Sequence, residues 1–232
     1  MSIRVANIEP LDRSGLRVRV TLEGGAFLEL ATEVLERSGV GPGDPLDGAE
    51  QAKLLDADVR WRAREAALEL VARRPYSRLE LKRRLLRKGF SREVIDASLA
   101  ALESQRLVDD GAFARSFVRD RLRLRPRGRR RLSQELREKG VDAATIDGAV
   151  EQVFGEQEVR EEQLAREAAL GWLKRQRPEA RHALAGGDRS PEREQATRRL
   201  SGFLARRGFS GEAAREAVRA AAEVVRGEQP SA

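Results

Sequence analysis

The chain has no cysteine, one histidine and 4% aromatic residues in 232, and these shortages exclude several kinds of chemistry. Without thiols there are neither disulfides nor thiolate metal sites. The single histidine, His182, lies in a polar stretch, RPEARHALAGGDRSP, and reads as a solvated side chain rather than a general base. So few aromatics make one large core hard to fill and favour several thin helical layers. No apolar run approaches the ~20 residues that a membrane span needs. The opening MSIRVANIEPLDRSG lacks the apolar centre of a secretory signal, so a soluble, cytoplasmic protein is expected.

Catalytic motifs are missing too. The phosphate-cradling pattern G-x-x-x-x-G-K-[ST] is absent, and no G-x-G-x-x-G follows a strand pattern. Gly186-Gly187-Asp188 reads as a flexible turn. Asp109 and Asp110 open a helical segment and read as caps that meet its dipole, not as metal ligands. No pair of carboxylates is set among apolar residues as acid–base work requires. The expectation is a binding protein, not an enzyme, with no cofactor and no metal.

What is abundant is Ala, Leu, Glu and Arg, all good helix formers, arranged as a repeat. Three segments align without gaps: LKRRLLRKGFSREVIDASL from Leu81, LSQELREKGVDAATIDGAV from Leu132 and LSGFLARRGFSGEAAREAV from Leu200. Leucines four apart (Leu81 and Leu85, Leu132 and Leu136, Leu200 and Leu204) put an apolar stripe on one helix face. Gly89, Gly140 and Gly208 sit where a left-handed residue ends that helix at little steric cost. Ser91, Asp142 and Ser210 then stand where a cap of the next helix belongs. An upstream helix precedes each pair. The fold class is therefore mainly α: three three-helix repeats, over residues 59–107, 108–155 and 156–232, the third with a longer internal loop. Residues 1–58 differ. LRVRVTL, turned by Glu23-Gly24-Gly25 into AFLEL, predicts a β-hairpin followed by a short helix.

Charge is unevenly spread. Residues 59–140 hold 24 basic and 11 acidic side chains, a local excess of +13 in a chain whose net charge is +7. Such a field draws polyanions. The densest run, RDRLRLRPRGRRR, has an interhelical turn at Pro126–Gly128, where Gly128 is read as a structural turn. It supplies Arg119, Arg123, Arg125, Arg127, Arg129, Arg130 and Arg131, flanked by Arg115 and Lys139. The preceding repeat adds Arg73, Arg74, Lys82, Arg83, Arg87 and Lys88, with Arg78 and Arg84. Few acids stand nearby in sequence, and if the repeat units stack in register these side chains are expected to merge into one anion-gripping ridge. Guanidinium forks match phosphate bidentately, and with few aromatics free to stack, contact with the backbone of single- or double-stranded DNA, without sequence preference, is expected. Phe113 and Phe117, four apart, read as core.

The residues also carry a resemblance. Arg74-Pro-Tyr-Ser-Arg-Leu-Glu-Leu, then Leu85-Leu-Arg-Lys-Gly-Phe, Asp109-Asp-Gly-Ala-Phe-Ala, Pro126-Arg-Gly-Arg and Glu135-Leu-Arg-Glu-Lys-Gly-Val resemble, in order and spacing, the successive motifs of the RecX family over residues 62 to 155. The resemblance implies an elongated, curved array of three-helix repeats. It also implies a monomer that lies in the groove of the RecA–DNA filament and inhibits strand exchange and ATP hydrolysis by RecA, and so modulates homologous recombination, DNA repair and the SOS response. The rival reading is a helix-turn-helix transcriptional regulator. Its reading helices would begin SREVIDAS and DAATIDGA, whose acids repel phosphate.

Overall fold

The computed structural model describes residues 2–186 and 190–227, so Gly187 and Asp188 of the expected turn lie outside the described residues. The chain forms two compact units, Met1–Val108 and Asp109–Ala232.

The first unit opens with a sheet. Strands β1 (Ile3–Pro10), β2 (Arg17–Leu22), β3 (Phe27–Ala31) and β4 (Pro45–Leu46) lie in the antiparallel order β3-β2-β1-β4. The hairpin expected from sequence is β2–β3, and helix α1 (Thr32–Ser38) follows it. The sheet is larger than that expectation, because β1 and β4 extend it. A register shift between Val5 and Asn7 breaks the alternation of β1, so its apolar period is not visible in the sequence. β4 is two residues long, too short to carry a pattern. Val5, Val18, Val20, Leu22, Leu28 and Leu30 face a core completed by Val34 and Leu35 of α1 and by Leu54.

Leu54 belongs to α2 (Gly48–Val71), an uninterrupted 24-residue helix started by an Asp47/Glu50 capping box. The expected boundary after residue 58 falls inside it. The first half of α2 packs on the sheet through Leu54, Ala57 and Trp61. Its second half, through Ala66, Ala67 and Leu70, is the first helix of a three-helix bundle with α3 (Arg78–Arg87) and α4 (Arg92–Ser104). Asp58 marks the midpoint. Its carboxylate is buried, accepts from the Ala31 N–H at 2.7 Å, and pairs with Arg17 at 3.1 Å and Arg62 at 3.0 Å. Arg17 also donates to the Glu29 carbonyl at 2.9 Å. Two backbone groups of the edge strand β3 are thereby occupied, which blunts the edge against pairing with another chain.

The second unit holds two further three-helix sets. One is α5 (Asp110–Leu124), α6 (Arg129–Glu138) and α7 (Ala143–Glu156). The other is α8 (Glu161–Leu173), α10 (Pro191–Arg206) and α11 (Gly211–Gly227), with the short helix α9 (Pro178–His182) and a 3₁₀ turn (Ala183–Ala185) in its longer loop. In every set the first and third helices make the broadest contact. The α8–α11 seam runs over Ala165, Ala169, Ala213, Ala217 and Ala221, whose small side chains let the two helices approach closely. Leu184 of the loop is drawn into that core, and His182 stays exposed.

The three glycine turns are Schellman closures. Gly89, Gly140 and Gly208 have φ of +89°, +83° and +80°. In each, the apolar residue after the glycine donates back to the last buried leucine: Phe90 to Leu85 at 3.4 Å, Val141 to Leu136 at 3.2 Å and Phe209 to Leu204 at 3.3 Å. Ser91, Asp142 and Ser210 cap the helices that follow, and Asp109 caps α5 at 2.9 Å.

Asp58→Ala strands the Ala31 N–H and the Arg17 guanidinium. We expect a loss of about 2–3 kcal/mol from the first unit, the range for leaving a buried donor without its charged acceptor. Hydrogen exchange should show β3 and α2 losing protection while residues 109–227 keep theirs.

Candidate anion-binding interface

In the first unit the expected basic residues divide into engaged and open. Lys82 chelates Asp96 at 2.7 and 2.8 Å, and this holds the Asp96 carboxyl below its ordinary range. Arg74 lies 3.6 Å above the Tyr76 ring, and Arg84 is 4.8 Å from the same ring. Tyr76 is thus buried under guanidiniums and unavailable for base stacking. Arg73, Arg83, Arg87 and Lys88 are exposed, and no carboxylate partner is found for them among the described residues.

In the second unit the geometry is set at the start of α6. Helix α3 begins with a Ser77/Glu80 capping box, whereas at the equivalent places α6 has Gly128 and Arg131 and no side-chain cap. The φ of Gly128 is an ordinary −70°, so the glycine is not there for a left-handed turn. It is there for room. A Cβ on Gly128 would overlap the Gly208 carbonyl and the Phe209 Cα, and a Cβ on Gly208 would overlap the Arg131 backbone. The Gly128 N–H donates to the Arg207 carbonyl at 2.9 Å, and the Arg207 side chain reaches the Pro126 carbonyl at 3.3 Å. Glu161, at the start of α8, accepts from the Arg129 N–H at 2.9 Å and takes one of the donors that a capless helix leaves open. Backbone packs directly on backbone here, and the start of α6 is seated on the α10–α11 turn.

The expectation of few neutralising acids does not hold. The buried carboxylate of Glu135 receives Arg121 at 3.2 Å, Arg131 at 2.8 Å and Arg127 in close contact. Arg129 pairs with Glu151 and lies 4.2 Å over the Phe154 ring. Arg119 bonds Glu156 at 2.8 Å and lowers the proton affinity of that carboxyl. Lys139 sits over Phe113 and Phe117, and Phe113 is buried in the α5–α7 core. Arg123 has only a 3.7 Å contact to Asp120. Arg115 lies half-buried on α5, beside Gly111.

Six arginines, two of them also held by Glu135, converge. Arg125, Arg127, Arg130, Arg131, Arg206 and Arg207 line a half-open cleft of about 610 Å³. Burial lowers the proton affinity of Arg127, and repulsion from Arg121, Arg131, Arg207 and Arg125 lowers it further. Arg207 is lowered likewise, by burial and then by Arg175 and Arg125. No carboxylate partner is found for Arg125, Arg130, Arg206 or Arg207 among the described residues. Arg206 and Arg207 were not among the residues that sequence reasoning singled out. The available signal was their place beside Gly208, matching Lys139–Gly140, but only tertiary docking brings them to α6.

Two family models match this chain: the first three-helix domain of RecX over residues 63–102 and the second over residues 109–150. These ranges correspond to the later part of α2 with α3 and α4, and to α5 through α7. The regulatory protein RecX of Streptomyces coelicolor is 37% identical over 161 residues, 69% of this chain and 78% of the relative. That of Halorhodospira halophila is 37% identical over 69% of this chain and 88% of the relative. The chain belongs to the RecX family. A crystal structure of a regulatory protein RecX superposes with a TM-score of 0.72 at 26% identity and covers 91% of this chain and 96% of that one. RecX from Lactobacillus salivarius shares the fold at a TM-score of 0.57 and 17% identity, over 72% of this chain and 99% of that one. The tandem three-helix repeats are thus those of RecX regulators. Among the described residues there is no cluster of potential metal ligands, and no helix is long and apolar enough to cross a membrane.

Glu135→Gln leaves the Arg121, Arg127 and Arg131 guanidiniums without their counter-charge. Discounting the buried-pair range for the partial exposure of the arginines gives an expected loss of about 2 kcal/mol. Its signature is salt dependence: added sodium chloride should recover much of the loss in the variant and do little for the native protein, read from urea unfolding at two ionic strengths.

Proposed function

We propose that this chain is a regulator of the RecA recombinase that binds the RecA–DNA filament through its basic surface and slows ATP turnover and strand exchange, without catalytic chemistry of its own. The observation that carries this reading is a set of open cationic side chains on each unit of a RecX fold. In the first unit these are the guanidiniums of Arg73, Arg83 and Arg87 and the ammonium of Lys88. In the second they are Arg125, Arg130 and Arg206, with Arg123 held only by its 3.7 Å contact to Asp120. Phosphate oxygens suit such forks. With Tyr76 covered and Phe113 in the core, no aromatic face among them is offered to a base, so the contacts are to backbone and carry no sequence preference.

The transcription-factor reading finds little support. Its reading helices are α4 and α7, and α7 is capped by Asp142 and has no basic side chain in its first turn.

Replacing the whole run Arg127, Arg129, Arg130 and Arg131 would be a poor test. Three of these hold Glu135 or Glu151, and glutamates at Arg127 and Arg131 would face the buried like charge of Glu135. The open residues are the right target. Arg125→Glu, Arg130→Glu and Arg206→Glu together should keep the circular dichroism of the native protein. They should abolish its inhibition of RecA ATPase on single-stranded DNA. The salt slope of DNA affinity should fall by about 2, at ~0.7 for each lost phosphate contact. Full inhibition by this variant would sink the proposal.

A further inference from the structure

The cleft between the start of α6 and the α10–α11 turn has features that an extended basic surface does not need. We propose that it is a discrete site for a compact polyphosphate, two or three contiguous phosphates such as pyrophosphate or the tail of a nucleoside triphosphate, held without regard to any attached base.

Three observations lead there. First, the charge converges from two sides. Arg125, Arg127, Arg130 and Arg131 come from the α5–α7 set and Arg206 and Arg207 from the α8–α11 set, around one half-open volume of about 610 Å³. A flat ridge spreads its charge along a strand. A cleft concentrates it on an object a few ångströms across.

Second, the arrangement opposes the helix's own electrostatics. The first turn of α6 contains no acid and holds Arg129, Arg130 and Arg131 at the positive end of the dipole. The favourable choice there is Asp or Glu, and the equivalent turn of α3 has Glu80. Arg127 and Arg207 repel their neighbours while losing hydration. Glu135 neutralises part of this charge and also holds Arg127 and Arg131 in place. A bound polyanion would relieve the rest, so stability withheld from the free protein becomes affinity for the ligand.

Third, the wall offers nothing to a base. Its aromatic residue, Phe209, is buried in the core of its own helices, so recognition ends at the phosphates. Nucleic-acid backbone presents the same chemistry, but less densely charged along its length. Pyrophosphate should therefore compete for this cleft at concentrations where orthophosphate does not.

The site depends on position as well as charge, and the glycines separate the two. Gly128→Ala keeps every arginine but forces the start of α6 off the Gly208 turn. Isothermal titration of the full chain with pyrophosphate and with ATP should give saturable binding to one site, the two ligands agreeing within about threefold. Gly128→Ala should weaken both by at least about tenfold at unchanged net charge. Arg206→Ala, which leaves the backbone seat intact, should also lower affinity, so the idea stays testable if the glycine variant folds poorly.

Unsaturable binding, or equal affinity in native protein and both variants, would mean diffuse attraction and overturn the proposal. So would single-stranded DNA bound at this cleft that pyrophosphate fails to displace. RecA inhibition is read separately, on the native protein: saturable pyrophosphate binding with no inhibition of RecA would refute the filament reading and spare this one, and inhibition without saturable pyrophosphate binding would do the opposite.

Discussion

Two polypeptide backbones can touch only where neither has a side chain in the way. The contact of Gly128 with the Gly208 turn is such a place, and the basic surface of the second unit is organised by it. Because α6 starts with a residue that has no Cβ, its first turn seats on the α10–α11 turn, and arginines separated by some eighty positions face one volume. Gly208 serves twice. Its left-handed φ closes α10 as Gly89 and Gly140 close α3 and α6, and its missing side chain makes room for α6. The repeated turn has thus been put to a second use in one of its three copies.

That seat creates an electrostatic problem which Glu135 partly answers. Three guanidiniums on one buried carboxylate leave a net positive cluster whose members are fixed in position, unlike flexible surface side chains that lose rotamer freedom when they bind. Preorganisation of this kind strengthens the grip on an anion at the expense of the free fold. Where the protein needs only stability it uses the opposite arrangement: Ser77 and Glu80 start α3, and Asp142 starts α7. The contrast between α3 and α6, at equivalent positions of one repeat, locates where stability has been given up.

Much of the helical architecture was legible because its determinants are local. Leucine pairs four apart, a glycine four residues after the second, and a small polar cap two beyond the glycine specify helix, Schellman closure and helix within a window of about twenty residues. The sheet was only half legible: β2 and β3 alternate cleanly, while the bulge in β1 and the brevity of β4 remove the period that would reveal them. The charge map was legible as an excess but not as an arrangement. Arg131 stands four residues before Glu135 on one helix face, a pairing sequence spacing can suggest. Arg121 and Arg127 reach the same carboxylate only through the turn at Pro126. Arg129, Lys139 and Arg74 settle on aromatic rings whose positions are tertiary facts.

The unbroken course of α2 has a mechanical consequence. A helix resists bending over its whole length, so the strands at one end and the bundle at the other are the two arms of a single stiff lever, with Asp58 as the clamp near its fulcrum. A push on the exposed face of the sheet cannot be absorbed in a slack linker, because none intervenes. It turns α3 and α4 with it, and the amino-terminal strands therefore give a handle on the orientation of the first bundle.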